Sequence, residues 1–128
     1  TCQMYTSSRA VSPGVVGASL NALKISTSSE GKKRRKHTQS LAKYMINKLK
    51  KLGFNITNTE SPIIPIIFKD IYVTGFLAKQ LINKGFLTSH FLPPYVSKDS
   101  PRLRLGITYN HTFNDIDTFI QQLNHLTN

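Results

Sequence analysis

The chain has 128 residues, enough for one domain around one hydrophobic core. Its 39% hydrophobic content excludes a disordered chain, and its single cysteine, Cys2, excludes an internal disulfide framework and a cysteine zinc site. Lys and Arg outnumber Asp and Glu by 17 to 6, a net charge of +11 that suits an anionic partner without identifying one.

The opening stretch from Thr1 to Val11 is Ser/Thr-rich and has no sustained period, so it is expected as loop or entering strand. Ser12 followed by Pro13 reads as an N-cap with proline at the first helical position, and Val16, Leu20 and Leu23 recur at helical spacing, predicting a helix to about Ile25. After a polar break at Ser26 to Ser29, Leu41, Tyr44, Met45, Leu49 and Leu52 form the apolar stripe of a long helix that Gly53 stops. The basic run Lys32 to Lys36 falls near the start of that helix, where positive charge opposes the macrodipole.

Asn55 to Thr57 and Ile63 to Phe68 read as strands, with Pro62 and Pro65 arguing that the second is an edge or irregular one. Asp70 can cap a helix in which Val73, Phe76, Leu77 and Leu81 share a face, with Gly85 after it. Phe86 to Leu92 reads as a strand ended by Pro93 and Pro94. Leu103, Leu105, Ile107 and Tyr109 then alternate with Arg102, Arg104, Gly106 and Thr108, which puts the arginines on the face away from the aliphatic side. Thr112 with Asp115 resembles a capping box, and Phe113, Ile116, Phe119, Ile120, Leu123 and Leu126 form the stripe of a closing helix. This order predicts an α+β sandwich, a small mostly antiparallel sheet with helices over one face. No apolar run is long enough to span a bilayer and no leader pattern opens the chain, so the expected location is the cytoplasm.

The segment from Pro93 to Asp117 combines a Pro-Pro approach, a short polar loop, Arg102-Leu103-Arg104-Leu105, a His111-Thr112 turn and an Asp115-Ile116-Asp117 helix start. Upstream stand Ser61-Pro62-Ile63-Ile64-Pro65-Ile66 and Ser12-Pro13-Gly14-Val15-Val16. In this order the motifs resemble the C-terminal part of the pyridoxal-phosphate-dependent α-oxoamine synthases, and the likeness covers nearly the whole chain. The Arg-Leu-Arg-Leu wording and the short end after Asn128 look most like the 8-amino-7-oxononanoate synthase branch. The 2-amino-3-ketobutyrate ligases, serine palmitoyltransferases and quorum-signal synthases are the related alternatives.

The resemblance implies fold type I enzymes, homodimers that condense an amino acid with an acyl thioester and release CO2 and the thiol carrier. It implies a loop and linking helix over residues 1–28 and a C-terminal small domain over 29–128. It assigns Arg104 to the amino acid's carboxylate, because a planar guanidinium offers two parallel charge-assisted hydrogen bonds that fix orientation. The bland alternative is a solvated strand arginine paired with an aspartate. Tyr95 stands where the 8-amino-7-oxononanoate enzymes carry a substrate-contacting threonine; a tyrosine packed on the sheet edge is the alternative. Ser8 and Arg9, or Thr6 and Ser7 if two residues are inserted, stand where the family reaches across the dimer to the partner's cofactor phosphate, although loop hydroxyls are also commonly just solvated.

The resemblance places the family's cofactor lysine before residue 1, and no lysine of this chain has the Gly/Ser-rich setting of a Schiff-base lysine. The cofactor is therefore expected in a full-length enzyme and not on this chain alone. His111 reads as a turn or cap residue, and the remaining histidines are too scattered for a metal site. The run Lys32 to Lys36 leaves a second reading open, a stand-alone basic module binding nucleic acid, although it lacks interleaved aromatics.

Overall fold

The structure is a computed structural model that describes residues 11–57 and 59–127. Its elements are α1 (Pro13–Thr27), α2 (Ser29–Lys51), β1 (Asn55–Ile56), β2 (Ile63–Ile67), α3 (Ile71–Asn83), β3 (Ser89–Phe91), β4 (Arg102–Gly106) and α4 (Phe113–Thr127). The chain divides into two compact units, with the break between Arg34 and Arg35 inside α2.

In the first unit, α1 opens at Pro13, but Ser12 makes no side-chain cap bond. Between α1 and α2 the Ser28 hydroxyl donates to the Ile25 carbonyl at 2.7 Å and accepts from Gly31 N–H at 3.2 Å. A Cβ at Gly31 would collide with the carbonyl oxygens of Ile25 and Ser26, so this junction requires glycine. The stripe of Val16, Leu20 and Leu23 does not become core: no residue of α1 is buried. Amphipathic spacing marks a face able to bury, and the described residues of this unit supply α1 and the first turns of α2.

In the second unit the sheet order is β1-β2-β4-β3 and every pairing is antiparallel. The α+β expectation holds. Ile64 and Ile66 of β2 and Leu103 and Leu105 of β4 point to one side, where they meet Leu41, Met45 and Leu49 of α2, Leu77 and Leu81 of α3, and Ile116, Phe119, Ile120 and Leu123 of α4 in one core. Gly53, at φ 84°, ends the α2 segment in the left-handed conformation that glycine adopts freely.

Pro65 is tolerated for a reason that the register makes visible. Ile107 N–H donates to Pro62 O and Phe68 N–H to Pro101 O, so the even-numbered residues of β2 carry the ladder to β4. Pro65, paired with Arg104, directs its missing donor to the other side, beyond the two residues that β1 covers. β2 is thus internal at Ile66 and Ile67 and an edge at Pro65.

Three expectations shift. The buried face of α3 is Thr74, Leu77, Ala78 and Leu81, whereas Val73 and Phe76 are exposed. Thr74 is buried without polar cost because its hydroxyl donates to the Asp70 carbonyl at 2.7 Å. β3 starts at Ser89 rather than Phe86, since Phe86 N–H donates back to Leu81 O and its ring packs edge-on against Phe119 at 5.4 Å. β4 ends at Gly106, because Thr108 to His111 turn back with His111 N–H donating to Thr108 O. The caps of α3 and α4 form as read: Asp70 accepts from Val73 N–H at 2.9 Å, and Thr112 and Asp115 bond reciprocally at 2.8 and 3.2 Å.

Asp117 ties α4 to α2, accepting from Lys48 Nζ at 2.7 Å and from the Tyr44 hydroxyl at 3.0 Å. The Lys48 hydrogen bond holds the Asp117 carboxyl below its ordinary range, and the same bond raises Lys48. A lowered carboxyl stabilises the fold above its unfolded pKa and loses that contribution as pH falls through the folded value. The expected result is that Asp117→Asn lowers Tm at neutral pH and that the gap to the wild type closes as pH is taken below the carboxylate range. A gap that stays constant down to that range would show that the ion pair carries none of it.

Candidate functional site

The face of the sheet opposite the helices is the one with uncommitted chemistry. Arg102 and Arg104 of β4 project onto it, together with Ile63, Pro65 and Ile67 of β2 and Ser89 and Phe91 of β3. Because Arg104 sits in a non-hydrogen-bonded pair with Pro65, its backbone N–H and C=O are directed to β3, where Ser89 is its partner. A residue bonded to one neighbour and flanked by another on an internal strand has a fixed Cα, a good base for a binding side chain.

The Arg104 side chain is exposed, and its guanidinium carbon lies 4.6 Å from the centre of the Phe91 ring. It makes no ion pair among the described residues, and four of the acids are engaged elsewhere. Glu30 bonds Arg34 at 2.8 Å, Asp70 and Asp115 cap helices, and Asp117 holds Lys48. The arginine is therefore stacked on an aromatic ring rather than paired with an aspartate.

Arg102 is used differently. Its Nε donates to the Ser100 carbonyl at 3.1 Å and its Nη2 to the Ser100 hydroxyl at 2.9 Å, so it clasps the loop that precedes β4. That loop is further shaped by Ser100 N–H donating to Ser97 O and Tyr95 N–H to Leu92 O. Tyr95 stands on it with 84% of its surface exposed, not packed on the sheet edge. Ser8 and Arg9, like Thr6 and Ser7, lie outside the described residues.

His111 takes the turn role: its Nδ1 accepts from Thr108 N–H at 3.0 Å, so the neutral ring carries its proton on Nε2. The side chains of Lys32 to Lys36 are all exposed, with Arg34 engaged by Glu30.

Among the described lysines only Lys48 is as much as half-buried, and it is bonded to Asp117 with its pKa raised. On the open face of the sheet the described residues present the guanidinium fork of Arg104.

The sequence from residue 2 to residue 123 matches the profile of aminotransferase class I and II. The chain belongs to that family. Within it, the 8-amino-7-oxononanoate synthase of Xylella fastidiosa strain M12 is 31% identical over 123 residues, which cover 96% of this chain and 30% of that protein. The chain thus spans under a third of that relative's length. The structure of Serine Palmitoyltransferase from S. paucimobilis with a bound PLP-Myriocin Aldimine shares the fold over 94% of this chain and 30% of its own, at TM-score 0.83 and 22% identity. That of 8-amino-7-oxononanoate synthase from Francisella tularensis does so over 92% and 34%, at TM-score 0.77 and 19% identity. These likenesses show that the chain shares its α+β fold with those two structures.

Sequence alternation turned Arg104 away from the aliphatic side of β4, and the structure does the same. It missed Phe91 as that arginine's neighbour and Ser100 as the partner of Arg102. The first depends on cross-strand register, which a strand of three residues does not announce; the second could have been suspected from the two-residue spacing of serine and arginine.

Proposed function

We propose that the chain is the C-terminal small domain, over 29–128 with a linking segment over 1–28, of a cytoplasmic, homodimeric α-oxoamine synthase of the 8-amino-7-oxononanoate type. Its reaction joins an amino acid to an acyl thioester with loss of CO2. Bound pyridoxal phosphate would supply the electron sink for that chemistry, and its lysine would come from outside this chain. The contribution of this chain is Arg104, which grips the amino acid's carboxylate, with Tyr95 beside the substrate and Ser8 and Arg9 toward a partner subunit's cofactor phosphate. The observation that carries this reading is an arginine on the open sheet face, on an internal strand, engaged by a ring and by no acid among the described residues.

The test follows thiol release from acyl thioesters by the full-length protein, over a panel of amino acids, with and without added pyridoxal phosphate. Amino-acid-dependent release that requires the cofactor is expected, and a folded full-length protein that releases none would overturn the reading. The 128-residue chain by itself, incubated with pyridoxal phosphate and dialysed, is expected to keep no saturable aldimine absorption band. A band that survives would place the covalent lysine within this chain.

A further inference from the structure

We infer that Phe91 is a positioning residue for Arg104, a ring platform that fixes the guanidinium so that its edge meets an amino-acid carboxylate. The inference rests on the assignment of Arg104 made above and adds a residue to it.

The register brings the two together. Ser89 pairs directly with Arg104, and Phe91 pairs directly with Arg102, so Phe91 is the diagonal neighbour of Arg104 on the same face. The side chain of Ser89 is short and leaves the space beside Arg104 open toward the ring. Arg102, directly opposite Phe91, would be the natural claimant to that ring. It is drawn off by its two hydrogen bonds to Ser100, at 3.1 and 2.9 Å, and the ring is left to Arg104 at 4.6 Å.

The two interactions asked of Arg104 use different parts of the group. A cation over an aromatic ring presents its face to the π-cloud, whereas a carboxylate bonds to N–H groups in the guanidinium plane. Ring and substrate can therefore be engaged together. An exposed arginine without such a platform samples many rotamers and loses that freedom when it grips a ligand; one already held over a ring loses less, and the difference is read as affinity. Phe91 is itself half-buried at the end of β3, so the platform is anchored rather than free.

The test is a double-mutant cycle in the full-length enzyme, with the amino acid and the acyl thioester varied separately. Phe91→Leu is expected to raise KM for the amino acid by roughly 2- to 30-fold, the span that a cation–π contact supports, and to leave KM for the thioester unchanged. Phe91→Tyr, which keeps the π-face, should stay near the wild type. In an Arg104→Ala background Phe91→Leu should add no further loss, because the residue it serves is gone. Pentafluorophenylalanine at position 91 keeps the ring's shape and reverses its quadrupole; it should reproduce the Phe91→Leu effect, and it serves where the leucine variant fails to fold. A readout independent of catalysis is the Arg104 Nε–H resonance, whose ring-current shift should vanish in Phe91→Leu. If Arg104→Ala is harmless, the carboxylate assignment fails. If Arg104→Ala is damaging while Phe91→Leu is silent, or costs the same with and without Arg104, the positioning role fails alone.

Discussion

Replacing Arg104 by Ala in the full-length enzyme is expected to lower kcat/KM for the amino acid by roughly 30-fold to several thousandfold. On the proposed assignment, the change removes a two-pronged charge-assisted contact whose loss costs on the order of 2 to 5 kcal/mol when the partner charge is desolvated. Because the side chain sits on the solvent-facing side of the sheet and supports no core contact, the fold should survive and the loss should be read in kinetics. Arg104→Lys should recover only part of it, since a point charge attracts a carboxylate but does not hold its plane. Arg102→Ala is the informative neighbour. Its side chain is bonded to Ser100, so its removal should loosen the loop carrying Tyr95 and cost less than the loss of Arg104. Steady-state kinetics with varied amino acid decide the matter: near-normal kcat/KM for a folded Arg104→Ala enzyme would sink the assignment.

Such a prediction could be framed from the sequence because β4 carries its meaning in its own alternation. Leu103 and Leu105 against Arg102 and Arg104 is a period-2 pattern with one buried face, and the structure buries the leucines and turns the arginines out. The closing helix was legible for a similar reason, with Ile116, Phe119, Ile120 and Leu123 at helical spacing behind a cap that Thr112 and Asp115 build locally. What failed were features decided by partners distant in sequence. The inner face of α3 includes Thr74, which hydropathy counts as polar but whose hydroxyl is already satisfied by its own helix. The stripe on α1 is apolar and contributes nothing to the core, because spacing reports that a face can bury and not what covers it. Phe91 reads as one more strand aromatic until the register with β4 is known; only then does it stand beside Arg104.

The larger effect on stability is expected at Leu103. This side chain is fully buried on an internal strand, paired with Ile66 across the ladder, and its neighbours on both sides in sequence are the two arginines. Leu103→Ala deletes buried carbons and leaves a void that the sheet, fixed by ladders to β2 and β3, can close only in part, for a cost of about 2 to 5 kcal/mol. Against a total of roughly 5 to 15 kcal/mol for a domain, that loss moves the urea midpoint a long way while leaving the slope unchanged. Ile63→Ala is the control, because Ile63 lies on the open face with 49% of its surface exposed, and partial exposure reduces the cost well below that at Leu103. Equal losses at the two positions would mean that the faces of the sheet are assigned the wrong way round, and with them the direction in which Arg104 projects. A Leu103→Ala chain that still folds at low denaturant should also bind carboxylate more weakly than its folded fraction explains, since a void behind β4 lets the strand that carries Arg104 shift, and small displacements of a binding group are costly.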